Sequence, residues 1–134
     1  MAPETAFERA VRARDADAIT AALAPDVRFR SPVVFRHYEG REAVSLVLRA
    51  VTEVFGEFEY VQRLEAADGS IALIFRAKVG DRELDGLDLL RIDDEGLVSE
   101  LTVMVRPMSG VQALATAMAE QLERMGVPVP GGGN

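Results

Sequence analysis

The chain changes period along its length. In "REAVSLVLRAVTEVF", Val44, Val47, Leu48, Val51 and Phe55 recur at three- and four-residue steps, the stripe of one helix face. Glu42 stands in the first turn, where the helix dipole favours an acid, and Gly56 follows the end. Upstream, "DVRFRSP" alternates instead. Val27, Phe29 and Ser31 face one way and Arg28 and Arg30 the other, so this is a half-buried strand closed by Pro32. Two shorter helices are expected before it. The first runs from about Pro3 to Arg14, with Phe7, Ala10 and Val11 inward and Glu4 in its first turn. The second is capped by Asp15 or Asp17, turns Ile19, Ala22 and Leu23 inward, and stops at Pro25. "VVFRHYEG" has no clear period and ends in a turn at Gly40.

After the long helix the pattern reads as sheet. Strands are expected near Phe58–Glu65, Ile71–Val79, Glu83–Ile92 and Val98–Arg106. The links "ADGS", "VGDR" and "DDEG" carry the Gly and Asp of tight reversals, which forces antiparallel pairing. "SGVQALATAMAEQLERMG" then forms a last helix. Ser109 and Gln112 are placed as its capping box, and Val111, Leu114, Met118, Leu122 and Met125 as its apolar face. Residues 1–126 read as one domain, and "VPVPGGGN", residues 127–134, as a flexible end.

Several strands are apolar on both sides. In Glu83–Ile92, Leu84, Gly86, Asp88, Leu90 and Ile92 share one face, and Asp85, Leu87, Leu89 and Arg91 the other. Such a sheet wants cover on both faces. Helices cover one. The other calls for a partner subunit, most simply in a two-fold dimer, or for the last helix to cross it. The same alternation separates the two acids of "ELDGLDLLRIDDEG". Asp85 goes outward, where an Arg across the sheet can pair with it, and Asp88 goes in among leucines.

Composition narrows the chemistry. The net charge of −7 lacks the basic footprint of a nucleic-acid binder and does not favour anionic membrane. With no Cys and a single histidine, His37, there is no disulfide, no thiolate nucleophile and no transition-metal site, and no cofactor is expected. No apolar run reaches membrane-spanning length, and "MAPETAFERAVRARD" has no signal-peptide core, so the cytoplasm is the expected location.

Helix, helix, strand, helix and a four-strand meander make an α+β cone. "RDADAITAALAPDVRFRSP", "YEGREAV" and "LDGLDLLRIDDEGLVSELTVMVRP" resemble the NTF2-like superfamily, and within it the SnoaL-like and ketosteroid-isomerase-like domains, over roughly residues 14 to 107. The resemblance implies a curved sheet around an apolar pocket, with dimers formed through the outer sheet face. It implies a pocket wall that includes Phe7, Phe29, Ser31, Leu101, Val103 and Val105. Ketosteroid isomerases use an Asp base and an oxyanion hole built from a Tyr and a protonated Asp. Asp88 matches the oxyanion Asp, whereas the base position falls on Ser31 and the Tyr position on Phe7. Serine is a very poor base at neutral pH and Phe donates nothing, so steroid isomerisation by that route is not expected. The Asp–Arg–Asp set of limonene epoxide hydrolase has no counterpart, since its last-strand site falls on Val103. Two functional expectations remain. One is the binding of a small apolar molecule in the cone. The other is a cofactor-independent isomerase, polyketide-cyclase-like enzyme or hydratase, with Asp88 as general acid/base and His37 as its helper at the pocket rim.

Overall fold

The structure, a computed structural model, describes residues 3–127. Past Val127, the end expected to be flexible lies outside the described residues. The chain opens with helices α1 (Ala6–Arg12) and α2 (Ala16–Ala21), strand β1 (Leu23–Arg30), a short β2 (Tyr38–Glu39) and the long helix α3 (Arg41–Val54). Strands β3 (Gly56–Glu65), β4 (Ile71–Val79), β5 (Arg82–Ile92) and β6 (Val98–Arg106) follow, and then helix α4 (Met108–Met125). The strands form one six-stranded sheet in the order β2-β1-β6-β5-β4-β3. All neighbours are antiparallel except β1 and β6, which the long excursion through the meander makes parallel.

The meander strands form where the alternation puts them, and their registers set the two faces. Leu73, Asp88 and Val103 stand in line across β4, β5 and β6, as do Phe75, Gly86 and Val105. These positions face the concave side, where α1, α3 and α4 bring Phe7, Val47 and Leu114 to the core. Helix α4 therefore packs on the concave side with Leu114, Met118 and Leu122 buried, and it does not cross the outer face. The outer face carries Ile74, Leu87, Leu89 and Met104, the last of them 57% exposed. Beside them Arg106 pairs with Asp85 at 2.8 Å, Arg76 approaches Asp85 at 3.7 Å, and Arg91 lies 3.6 Å from Glu100. Asp85 thus points outward, as the alternation predicts, and gathers both Arg76 and Arg106 from across the sheet.

Three local details differ from the expectations. Pro25 does not stop α2. It lies inside β1, in the stretch between Leu23 and Arg28 where the register against β6 shifts, so no ladder bond is asked of its missing N–H. Helix α4 begins at Met108 after Pro107, so Ser109 and Gln112 are already helical and no side-chain cap forms. Glu4 lies before α1 and pairs with Arg12 at 3.1 Å. The cap is Thr5, whose hydroxyl accepts the Glu8 N–H at 3.1 Å while the Glu8 carboxylate accepts the Thr5 N–H at 2.8 Å. Asp15 does cap α2, accepting from the Ala18 N–H at 3.1 Å. Among the described residues no helix is long and apolar enough to cross a membrane.

Candidate functional site

Between the concave face of the sheet and α1, α3 and α4 lies an open-mouthed cavity of about 90 Å³. Its wall is mostly aliphatic and aromatic. Phe7 and Val11 come from α1, Phe29 from β1, Val47 and Val51 from α3, Leu101 and Val103 from β6, and Leu114 and Met118 from α4. One end is a cluster of rings, with Phe58 4.9 Å from Phe75 and Phe55 5.6 Å from Phe75, centroid to centroid. Gly86 makes that cluster possible. A Cβ there would stand 2.0 Å from Cζ of Phe75, so the ring lies across β5 only because the side chain is absent.

Asp88 carries the only carboxyl on this wall among the described residues. Strand alternation turns it inward between Leu73 of β4 and Val103 of β6, and it is 8% exposed. The Tyr60 hydroxyl, from β3, donates to its Oδ2 over a long 3.4 Å, and no other hydrogen bond reaches the carboxyl among the described residues. No fully occluded side-chain oxygen or nitrogen lacks a partner among those residues, so Oδ1 is reachable from the cavity. Burial pushes the Asp88 pKa up to about 7, against the smaller opposing effect of the Tyr60 hydrogen bond. The same burial, with the nearby charge of Asp88, drives the Tyr60 phenol far above its ordinary value, so it stays protonated and serves as a donor. Tyr60 is itself held by its edge-on contact with Phe58 at 5.1 Å, and Arg12 lies over its ring at 5.7 Å.

The other expected site residues divide in two. Phe7, Phe29, Ser31, Leu101 and Val103 line the Asp88 cavity, and the Ser31 hydroxyl is occupied in accepting the Val33 N–H at 3.1 Å. Val105 and His37 do not line it. They border a separate depression with Phe35, Thr102 and Met104. His37 lies beside the start of β2, where Tyr38 turns inward and its neighbours turn out. Its Nε2 stands 3.2 Å from Glu39 and 3.0 Å from Arg28, so the expected Asp88–His37 pair does not form. Tyr60 is the residue that sequence reading missed. Phe58 and Tyr60 share an inward parity on β3, and that was the available signal. Among the described residues no cluster of His, Cys, Asp and Glu could hold a metal ion.

The sequence profile of the SnoaL-like domain matches residues 4–101, most of the chain. The chain belongs to the SnoaL-like domain family. Solved structures agree on the fold. A steroid delta-isomerase from Pseudomonas aeruginosa is 42% identical, covering 89% of this chain and 88% of that one at a TM-score of 0.85. An uncharacterised protein with a cystatin-like fold from Silicibacter pomeroyi is 35% identical, covering 88% and 83% at 0.82. SalBIII, an epoxide hydrolase/cyclase-like enzyme of pyran-ring formation in the polyether salinomycin, shares the fold at 21% identity, covering 76% and 85% at 0.64. No curated protein matches. This SnoaL-like chain is thus an NTF2-like cone whose sheet carries Asp88 into the cavity.

Proposed function

We propose that this SnoaL-like chain binds a small apolar molecule bearing a carbonyl or hydroxyl group, with Asp88 as the polar anchor inside the cavity. The observation that carries this reading is a buried carboxyl with one oxygen reachable from a mostly apolar cavity. Protonated, Asp88 donates to a ligand carbonyl. Ionised, it accepts from a ligand hydroxyl. Calorimetry with an apolar ketone and its parent hydrocarbon tests this. The ketone should bind tighter to the wild type, and Asp88→Leu, which can neither donate nor accept, should shrink that preference. Equal affinity for both, or no binding of either, sinks the reading.

A second reading, catalysis, has its own support. A carboxyl with a pKa of about 7 suits proton transfer near neutrality, and the 42% identical neighbour is a steroid delta-isomerase. Against steroid isomerisation by an Asp base stand Ser31 and Phe7 at the matching positions. A cofactor-independent isomerase, cyclase or hydratase would need Asp88 to serve as both acid and base, with Tyr60 rather than His37 beside it. Turnover of a ketone panel that survives unchanged in Asp88→Asn removes Asp88 from any such mechanism. We also propose that two copies pair through the outer sheet face, where Leu89 and Met104 are exposed between ion pairs.

A further inference from the structure

The cavity wall carries four polar residues, and they differ in how much bonding capacity is already used. The Ser31 hydroxyl accepts from the Val33 N–H, and the Thr52 hydroxyl donates to the Leu48 carbonyl at 2.8 Å. Asp88 has one oxygen to spare. Arg14 has more. It sits in the link between α1 and α2, and it is solvent-exposed while lining the cavity, so it stands where the cavity meets water. Its Nη2 donates to the Thr52 and Phe55 carbonyls, the latter at 2.9 Å. Those bonds satisfy the end of α3, whose last turn has no basic residue. A guanidinium has five N–H donors, so the Nε–H and both Nη1 donors remain. Among the described residues no carboxylate pairs with Arg14.

Two features argue that this cation does more than cap a helix. Its backbone is left-handed, at φ 53°, which a non-glycine residue adopts only when its surroundings hold it there, and such positions gather at functional sites. The chain is also acidic, at −7, so an anion approaching the cavity meets a repulsive field except where a cation stands at the mouth.

We infer that Arg14 receives an anionic group of the ligand, so that the cavity takes an apolar molecule with a carboxylate at the end near the mouth. This rests on the ligand-binding reading above and adds the class of ligand. The aliphatic and aromatic wall holds the body, and the Nε and Nη1 groups of Arg14 donate to the carboxylate in a charge-assisted pair.

A matched pair of probes tests it: 2-naphthylacetate and 2-naphthylacetamide, alike in shape and different in charge. Their affinities are measured by calorimetry at mildly acidic pH, where the acid is ionised and Asp88 is largely neutral. The wild type should bind the acid about fivefold tighter than the amide, the upper range for a solvent-screened pair. Arg14→Met should bring the ratio to about one, while Arg14→Lys should keep part of the preference. A wild-type ratio of one, or a preference that survives Arg14→Met, overturns the inference and leaves the ligand-binding reading standing. Failure of both probes to bind overturns the two together. If Arg14→Met melts below the assay temperature, a salt series on the wild type decides. The acid preference must shrink as salt screens the pair, and a salt-independent ratio overturns the inference.

Discussion

Replacing Asp88 with Asn should make the protein more stable at mildly alkaline pH and change little in acid. The native carboxyl titrates at about 7 against an ordinary 3.8, because burial penalises its charged form. Between those two values the native state holds a proton that the unfolded chain has released, so stability falls as pH rises through that window. The contribution is fully present below the unfolded value and lost above about 7. The distance from 3.8 to about 7, at about 1.4 kcal/mol per pH unit, comes to about 4 kcal/mol. Water entering through the cavity mouth lowers that toward about 2 kcal/mol, as screening does for any partly wetted charge. Asn keeps the shape and still accepts from Tyr60, but it cannot ionise. Denaturant unfolding of both proteins across the pH range isolates the effect, since the other titrating groups cancel in the difference. The curves should lie within about 1 kcal/mol in acid and separate by about 2–4 kcal/mol in mild alkali, with Asn the more stable. A difference that stays flat across that range would refute the buried-carboxyl argument.

Other consequences are testable in the same way. Tyr60→Phe removes the one hydrogen bond that favours ionised Asp88, so the Asp88 midpoint should move further up in an NMR titration; a downward move contradicts the assignment. Glu8 is fully buried against Arg63 at 2.7 Å. Burial raises its pKa, but the hydrogen bonds from Arg63 and Thr5 and the Arg63 charge outweigh that and hold it below the ordinary value. Its stabilisation is therefore present above the unfolded pKa and lost as pH falls through the folded one. Glu8→Ala should cost about 3 kcal/mol at neutral pH by leaving Arg63 short of its partner, and a loss under 1 kcal/mol by denaturation would count against a structural pair. Gly86→Ala should cost about 2 kcal/mol or more, because its Cβ would overlap Phe75; unchanged thermal unfolding would contradict that packing. Leu89→Arg on the outer face should turn a dimer into a monomer by sedimentation, and a wild type that already sediments as a monomer excludes the pairing.

What the sequence disclosed followed from how local each signal was. Strands β4 and β6 and helix α3 carry strong periods of two and 3.6, so their limits were legible, as was the inward turn of Asp88 between Leu87 and Leu89. The two-residue β2 was too short for any period to declare it, and it becomes a strand only because β1 lies beside it. Its formation also sent His37 outward. Tyr60 meets Asp88 across two strand pairings, with a register shift between Tyr60 and Gln62 on the way, and no spacing along the chain encodes that. Glu8 and Arg63 are likewise distant in sequence, though Thr5 and Glu8 alone spell a capping box that could have been read. Arg14 reaches the end of α3 only through the fold, and no local spacing encodes that contact.

Ligand binding here turns on a carboxyl that titrates near 7 and is reachable by a ligand. The most direct measurement is a carbon-detected NMR titration of the Asp88 carboxyl in labelled protein, alone and with an apolar ketone. A midpoint near 7 that rises when the ketone binds is the predicted result. A midpoint in the ordinary carboxylate range, or one that the ketone does not move, contradicts it.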